Sequence, residues 1–240
     1  MSIYANDLFK NSHIVIFFST VSWFLRIFFH LLYHSFAWSY DLVAAAVSGG
    51  RWKDWVRSVL PLIEGKDVLE LGIGTGTLQA ALIAAGYRTF GVDQSRHILR
   101  IAKNKVRRTV QQPAMLVRGL AQQIPLSSSS MDTIVATFPS EYIAHPGTLA
   151  ACRRVLRPRG LLVVLLGVQV GGGSIVSILL RGIYRVTGQT LPDRNTLEES
   201  RIKLKEYGFN ARIETIAYQQ DLLTVIVAAS DSASQPEFFK

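Results

Sequence analysis

From Lys66 onward, apolar residues gather in short continuous runs, and between the runs they recur every three or four positions. The runs predict strands at Asp67–Leu71, Arg88–Val92, Ala114–Val117, Thr133–Thr137, Leu161–Val168, Ala211–Ile216 and Leu222–Ala228. Helical spacing marks Leu78–Ala85, Arg96–Arg107 and Thr148–Leu156. Strands that alternate with helices build a parallel sheet, because each helix carries the chain back to start the next strand in the same direction. The last two runs are joined only by a short turn around Tyr218–Asp221, so they pair antiparallel. The pattern predicts an α/β fold: a doubly wound seven-stranded sheet with six parallel strands and one antiparallel. No internal repeat interrupts it.

Before Ser48 the pattern changes to long apolar and aromatic stretches. At about 100° per residue, Ser19, Ser22, Arg26, His30, Tyr33, His34 and Asp41 share an arc of roughly 120°. Phe17, Phe18, Phe24, Leu25, Phe28, Leu31, Leu32 and Phe36 take the wide opposite side. The expectation is an amphipathic helix, and it has three readings. It caps the domain, it lies in a membrane interface with Trp23, Trp38 and Arg26 at headgroup level, or it spans a bilayer. The last would hold Arg26 near the hydrocarbon centre at a cost of about 2.5–3.5 kcal/mol. A second apolar segment follows the fifth strand, where Ile175, Leu179, Ile183 and Val186 interleave with Arg181 and Arg185. It reads as a packed helix, a lid over an apolar ligand, or a second membrane contact. The organisation expected is thus a hydrophobic helical extension over 1–60, a domain over 61–230 with a helical insertion at 171–188, and a disordered tail over 231–240.

The sharpest local signal is Asp67-Val-Leu-Glu-Leu-Gly-Ile-Gly-Thr-Gly-Thr-Leu, a buried run that enters a glycine-rich turn opening a helix. Glycines here let the backbone turn tightly and let a ligand approach without a Cβ between. The free N–H groups of the helix start favour an anionic group. A dinucleotide loop begins the same way, but it requires glycine or alanine where this chain has Thr77. Glu70 just before the glycines would also repel a pyrophosphate and suits a cationic ligand. No Gly-Lys-Ser/Thr follows, which removes the nucleoside-triphosphate loop.

Glu70-Leu-Gly-Ile-Gly-Thr-Gly resembles the E/D-x-G-x-G-x-G motif of class I S-adenosylmethionine-dependent methyltransferases, which have a Rossmann-like fold. Thr89-Phe-Gly-Val-Asp-Gln-Ser, Gly119-Leu-Ala-Gln-Gln-Ile-Pro-Leu, Asp132-Thr-Ile-Val-Ala-Thr-Phe-Pro and Arg153-Arg-Val-Leu-Arg-Pro-Arg-Gly resemble the motifs that follow, in the same order. The resemblance covers Lys66–Val168 and is nearest to the subgroup of quinone, lipid and other small-molecule enzymes. It implies S-adenosyl-L-methionine as cofactor. Glu70, Gly72, Ile73, Gly74, Thr75 and Gly76 would form its loop. Asp93 would accept from both ribose hydroxyls, as an acceptor-only carboxylate can, and Gln94 would flank the adenine. Ala121, Gln122 and Phe138 would complete the site. Leu120 departs from the pattern, which has an aspartate there. In such folds the segment after strand four faces the methyl group, which singles out Tyr142 and His145 as candidate catalytic groups. The bland reading of His145 is an exposed loop histidine. Thr137-Phe-Pro-Ser replaces the Asn/Asp-Pro-Pro-Tyr of amino-methylating enzymes, against methylation of DNA adenine.

Composition refines this picture in three ways. The chain has 240 residues, 49% of them apolar and 18% charged, greasier than an ordinary soluble enzyme. The lone Cys152 excludes an internal disulfide and a thiolate metal cluster, and no metal site is expected. The net charge of +9 favours polyanions. Arg96, Arg100, Lys103, Lys105, Arg107 and Arg108 share one helix without an acid. That run reads first as a solvated face and second as attraction to anionic lipid. Without interleaved aromatics, nucleic acid is disfavoured as a partner. The expectation is methyl transfer to a small hydrophobic acceptor, in the cytoplasm or peripherally on the cytoplasmic face of a membrane. An RNA methyltransferase and a non-catalytic cofactor-binding module are the alternatives.

Overall fold

The computed structural model describes residues 48, 50–111, 114–172 and 193–231. The expected N-terminal amphipathic helix, nearly all of the 171–188 insertion and the tail from 232 lie outside the described residues.

The sheet has seven strands in the order β3-β2-β1-β4-β5-β7-β6. They are β1 (Asp67–Leu71), β2 (Arg88–Asp93), β3 (Met115–Arg118), β4 (Met131–Thr137), β5 (Leu156–Gln169), β6 (Phe209–Tyr218) and β7 (Asp221–Ser230). β1 to β5 pair in parallel, and β7 runs antiparallel to both β5 and β6. Six strands therefore share one direction and β7 opposes them, as the run lengths predict. Tyr218 pairs with Asp221 across the two-residue turn that makes this hairpin.

Among the described residues, five α-helices cover the faces: α1 (Trp52–Arg57), α2 (Thr77–Ala84), α3 (Arg96–Val110), α4 (Pro146–Val155) and α5 (Arg194–Glu206). Side chains alternate between two cores. Leu69, Leu71, Ile134, Leu162 and Ile226 meet Leu149, Cys152 and Val155 of α4 and Leu204 of α5. Val68, Val135, Val163 and Val225 meet Trp55 and Val56 of α1 and Leu78 and Leu82 of α2. β1 is buried at all five positions, the mark of a parallel strand covered on both faces. Cys152 is completely buried in the first core, and burial pushes its thiol up to about 12, so it serves as a small apolar residue.

Two differences from the pattern have plain causes. β5 begins at Leu156, earlier than its apolar run, because Leu156 already pairs with Met131 across a register shift. Helix α5 was not among the helical stretches because only Leu204 of its thirteen residues is buried. Its start is set by Asp193, whose carboxylate accepts from the Thr196 amide at 2.9 Å.

One buried carboxylate ties distant segments together. Asp221 has no exposed side-chain surface. It accepts two bonds from the Arg51 guanidinium, at 2.7 and 2.8 Å. It also accepts from Trp55 Nε1 at 2.9 Å and from the Gly171 amide at 3.0 Å. The start of β7, the approach to α1 and the end of β5 are thereby joined. Removing one partner of a buried pair leaves the other charge uncompensated. Asp221→Ala should therefore lower the unfolding free energy by about 3–5 kcal/mol in urea denaturation, whereas Asp221→Asn, which keeps an acceptor for Trp55, should lose less.

Candidate active site

The strands β1, β2 and β4 end at one edge of the sheet, and the turns leaving them surround a cavity of about 1000 Å³. Its floor is the turn from β1 to α2. Gly72 has φ +71°, and a Cβ there would come within 2.5 Å of the Tyr142 hydroxyl, so only glycine fits. Gly76 is the N-cap of α2 at φ +83°, where α3 passes so closely that a Cβ would sit 3.1 Å from Ala102.

Glu70 is the last acid before this turn and is 1% exposed. It lines the cavity, and its Oε2 has no hydrogen-bond partner. Burial raises its carboxyl well above the ordinary value, the nearby Asp93 adds to this, and hydrogen bonds from Gln79 work in the other direction. Gln79 is itself buried; its amide donates to the Phe90 carbonyl at 3.0 Å, and its Oε1 is unpartnered. The resulting site holds two unmatched acceptor oxygens among the described residues. A ligand carrying positive charge would satisfy Glu70 and shift it toward the ionised form.

Asp93 ends β2 and also lines the cavity. Its Oδ1 accepts from the Ser95 amide at 2.8 Å. Burial raises its carboxyl, while the amides of Ser95, Gly74 and Ile73 oppose that shift. The carboxylate thus bridges the β2 turn and the glycine turn. Ser95 then caps α3 by accepting from the Ile98 amide.

The far wall is apolar. Phe138 follows β4 at φ +49°, an unfavourable backbone region for an aromatic residue, and its amide donates to the Leu165 carbonyl at 2.7 Å. Its ring stacks on Trp52 of α1, with centroids 4.6 Å apart and planes at 28°. Val56 and Leu78 extend this wall. Tyr142 closes the near side: its hydroxyl donates to the Leu71 carbonyl at 3.0 Å. Burial, then the negative Asp93 and Glu70, push its phenol far above the ordinary value. The ring therefore holds the glycine turn as a neutral donor and is poorly suited to accept a proton.

Of the residues singled out in the sequence, Glu70, Gly72, Ile73, Gly74, Thr75, Asp93, Gln94, Ala121, Gln122, Phe138 and Tyr142 all line this one cavity. Gly76 stands behind it at the helix start. His145 is not part of the lining; it caps α4, with Nδ1 accepting from the Gly147 amide at 3.0 Å. Sequence reasoning missed Trp52 and Val56, which it had assigned to the extension, and Arg96 and Arg118 at the rim. Leu120, where the motif has an acid, is 49% exposed at that rim.

A family model described as a methyltransferase domain matches residues 69–164. The demethylmenaquinone methyltransferase of Tropheryma whipplei is 29% identical over 137 residues, 55% of this chain and 56% of that protein. The ubiquinone/menaquinone biosynthesis C-methyltransferase of Paraburkholderia xenovorans is 32% identical over 142 residues, 56% of this chain and 58% of that one. The chain thus matches these curated relatives over little more than half of their length. A SAM-dependent methyltransferase from Aquifex aeolicus superposes with a TM-score of 0.53 at 18% identity, over 72% of this chain and 88% of that one. A Methanococcus maripaludis structure shares the fold further, with a TM-score of 0.60 at 18% identity over 83% of this chain and 94% of its own. Residues 69–164 are thus similar to a methyltransferase domain, and the chain shares the fold of solved methyltransferase structures.

Proposed function

We propose that the protein transfers a methyl group from S-adenosyl-L-methionine to a small apolar acceptor of quinone or lipid type. One observation carries this reading: a single cavity joins a buried acid, a half-buried acid and a glycine turn to an aromatic wall. Its volume of about 1000 Å³ lies at the top of the roughly 300–1,000 Å³ range of ligand sites, enough for two small molecules side by side. The quinone substrates in the names of the curated relatives support the same acceptor class.

When bound, the cofactor supplies a methyl group already activated by a positively charged sulfur. The chain's own residues supply binding and alignment. Glu70 and Asp93 face the cationic and hydroxyl-bearing portions, and the amides of the glycine turn approach without an intervening side chain. Trp52, Val56, Leu78 and Phe138 exclude water and hold a planar or aliphatic acceptor against the methyl end. Tyr142 fixes the turn through the Leu71 carbonyl. Among the described residues, Trp52, Val56, Leu78 and Phe138 of this wall carry no acid–base group, which suits an acceptor whose reactivity is its own, with alignment as the main contribution.

Calorimetric titration tests the class: S-adenosyl-L-methionine should bind and NAD should not, and binding of neither would remove the reading. Asp93→Ala should weaken cofactor binding by about 10- to 100-fold, the range for losing hydrogen bonds to a charged group. Trp52→Ala should raise the acceptor's KM while leaving cofactor affinity unchanged; an equal loss of both would place Trp52 outside an acceptor site. Cofactor binding without turnover on quinone or lipid extracts would favour a non-catalytic module.

Glu70 makes a further prediction with a definite sign. The folded protein keeps the Glu70 proton above the ordinary value of 4.5, whereas the unfolded chain releases it there. Stability is therefore complete below that value and falls as pH rises toward the folded one. Glu70→Gln removes this dependence and places a donor beside Gln79. The variant should match the wild type in acid and unfold at higher temperature near neutrality, by about 2–4 °C per kcal/mol gained. It should also bind the cofactor more weakly. A variant less stable than wild type at every pH would refute the account.

A further inference from the structure

Helix α3 carries six basic side chains and no acid, and the structure sorts them. Lys105 turns inward, its Nζ donating to the hydroxyls of Thr75 at 3.0 Å and Thr77 at 2.7 Å, at the start of α2. Leu99, Ala102 and Val106 face the sheet. At about 100° per residue, Arg96, Arg100, Lys103 and Arg107 lie roughly 140–180° around the helix from Lys105. They form one stripe about 60° wide and about 16 Å long. Since Lys105 marks the flank toward α2, the stripe runs along the opposite flank, beside β3, which is an edge strand. All four side chains are exposed, and none forms an ion pair with the described residues.

The edge strand beside this stripe is unusually apolar. Met115 is 50% exposed and Val117 44%, with Leu120 just beyond at 49%. Leu116, between the first two, turns the other way and packs on Ile73, Leu99 and Ala102. Arg118, also exposed, donates to the Gln94 carbonyl at 3.1 Å. Edge strands are ordinarily shielded by charge and short length. Large apolar side chains exposed together indicate a contact surface. Because Leu116 faces α3, Met115 and Val117 project from the opposite face of the sheet, so the cations and the apolar groups flank the edge strand on its two sides.

We propose that the β3–α3 edge docks on an anionic lipid surface, the basic stripe meeting headgroup charges while Met115, Val117 and Leu120 enter the interfacial layer. Lipid suits both halves of the patch. Surfaces that hold single-stranded nucleic acid stack bases on aromatic rings, whereas the exposed apolar groups here are aliphatic and Arg96–Arg108 contains no Phe, Tyr or Trp. Arg96, Arg118 and Leu120 also line the cavity, so the docked edge is continuous with its rim. This surface is independent of methyl transfer and goes beyond it.

The test is co-sedimentation of the full chain with vesicles of phosphatidylglycerol and phosphatidylcholine in equal parts, against pure phosphatidylcholine. The triple variant Arg100→Gln, Lys103→Gln, Arg107→Gln leaves the cavity lining intact. A second variant, Met115→Ser with Val117→Thr, removes the apolar half. The wild type should prefer anionic vesicles and lose binding as salt is raised. The triple variant should partition roughly 100-fold less, given the usual worth of each basic residue near such a surface. The second variant should bind anionic vesicles more weakly than the wild type while remaining salt-sensitive. Wild-type partition retained in the triple variant would overturn the proposal. So would a preference for short single-stranded RNA over vesicles that the triple variant abolishes, since the stripe would then hold nucleic acid.

Discussion

The structure is organised around a carboxyl group kept out of water at the end of its most buried strand. β1 runs through the centre of the sheet with both faces covered, and its fourth residue is Glu70 rather than another aliphatic. Apolar burial at that position would be favourable by ordinary area reasoning, while desolvating a carboxylate is costly. The chain meets this constraint locally. Gln79 reaches from α2, burial raises the Glu70 carboxyl well above its ordinary value, and its Oε2 is left buried without a hydrogen-bond partner among the described residues. An unmatched acceptor at the mouth of a parallel sheet is a binding preference stored in the unliganded fold.

That preference works only if the turn beyond β1 is held still. Tyr142 does so from the segment after β4, through the Leu71 carbonyl, and the close passage of α3 over Gly76 does so from the other side. A second anchorage lies farther along the sheet. Asp221 joins Arg51 and Trp55 to the Gly171 amide, which fixes α1 and therefore Trp52 against Phe138. The aromatic wall is thus positioned by a buried ion pair at the start of β7, a strand that contributes no residue to the cavity lining. Packing and polar bonding here are parts of one arrangement: the hydrophobic cores orient the strands, and a few buried charges set where the turns go.

The parts of the molecule legible in sequence are those with a short-range physical cause. Continuous apolar runs such as Val163–Leu165 announce strands because a parallel sheet buries both of their faces. The glycine turn is legible because Gly72 and Gly76 answer a backbone requirement, and Asp93 because it ends a strand at a set distance from that turn. Helix α5 was not, since one buried leucine in Arg194–Glu206 leaves no periodic stripe. Trp52 and Val56 were hidden for another reason. Their greasy surroundings continue from the N-terminus, and nothing local distinguishes a residue that folds back on the cavity from one that continues the extension. His145 shows the limit of reading chemistry from residue type: its imidazole is engaged in capping α4.

Charge along the cavity is segregated in a way that bears on what it can hold. The two acids in the lining, Glu70 and Asp93, sit where the strands end; the two cations, Arg96 and Arg118, sit at the outer rim. Leu120 stands at that rim where the family motif has an acid, so no carboxylate offsets the guanidinium groups there. Arg118 instead donates to the Gln94 carbonyl and steadies the turn after β2. A ligand with a cationic inner end and a flat, uncharged outer end suits this polarity, since Glu70 and Asp93 attract the former and a guanidinium plane can stack on the latter. A dianionic ligand fits poorly, because entering past the arginines would bring its charge against the acids Glu70 and Asp93. The same cations continue outward along α3, so the charge that closes one end of the cavity also forms the face of the domain beside β3. The cationic rim and the surface charge are therefore linked through Arg96, the first residue of a helix whose buried side is apolar and whose outer flank carries no acid.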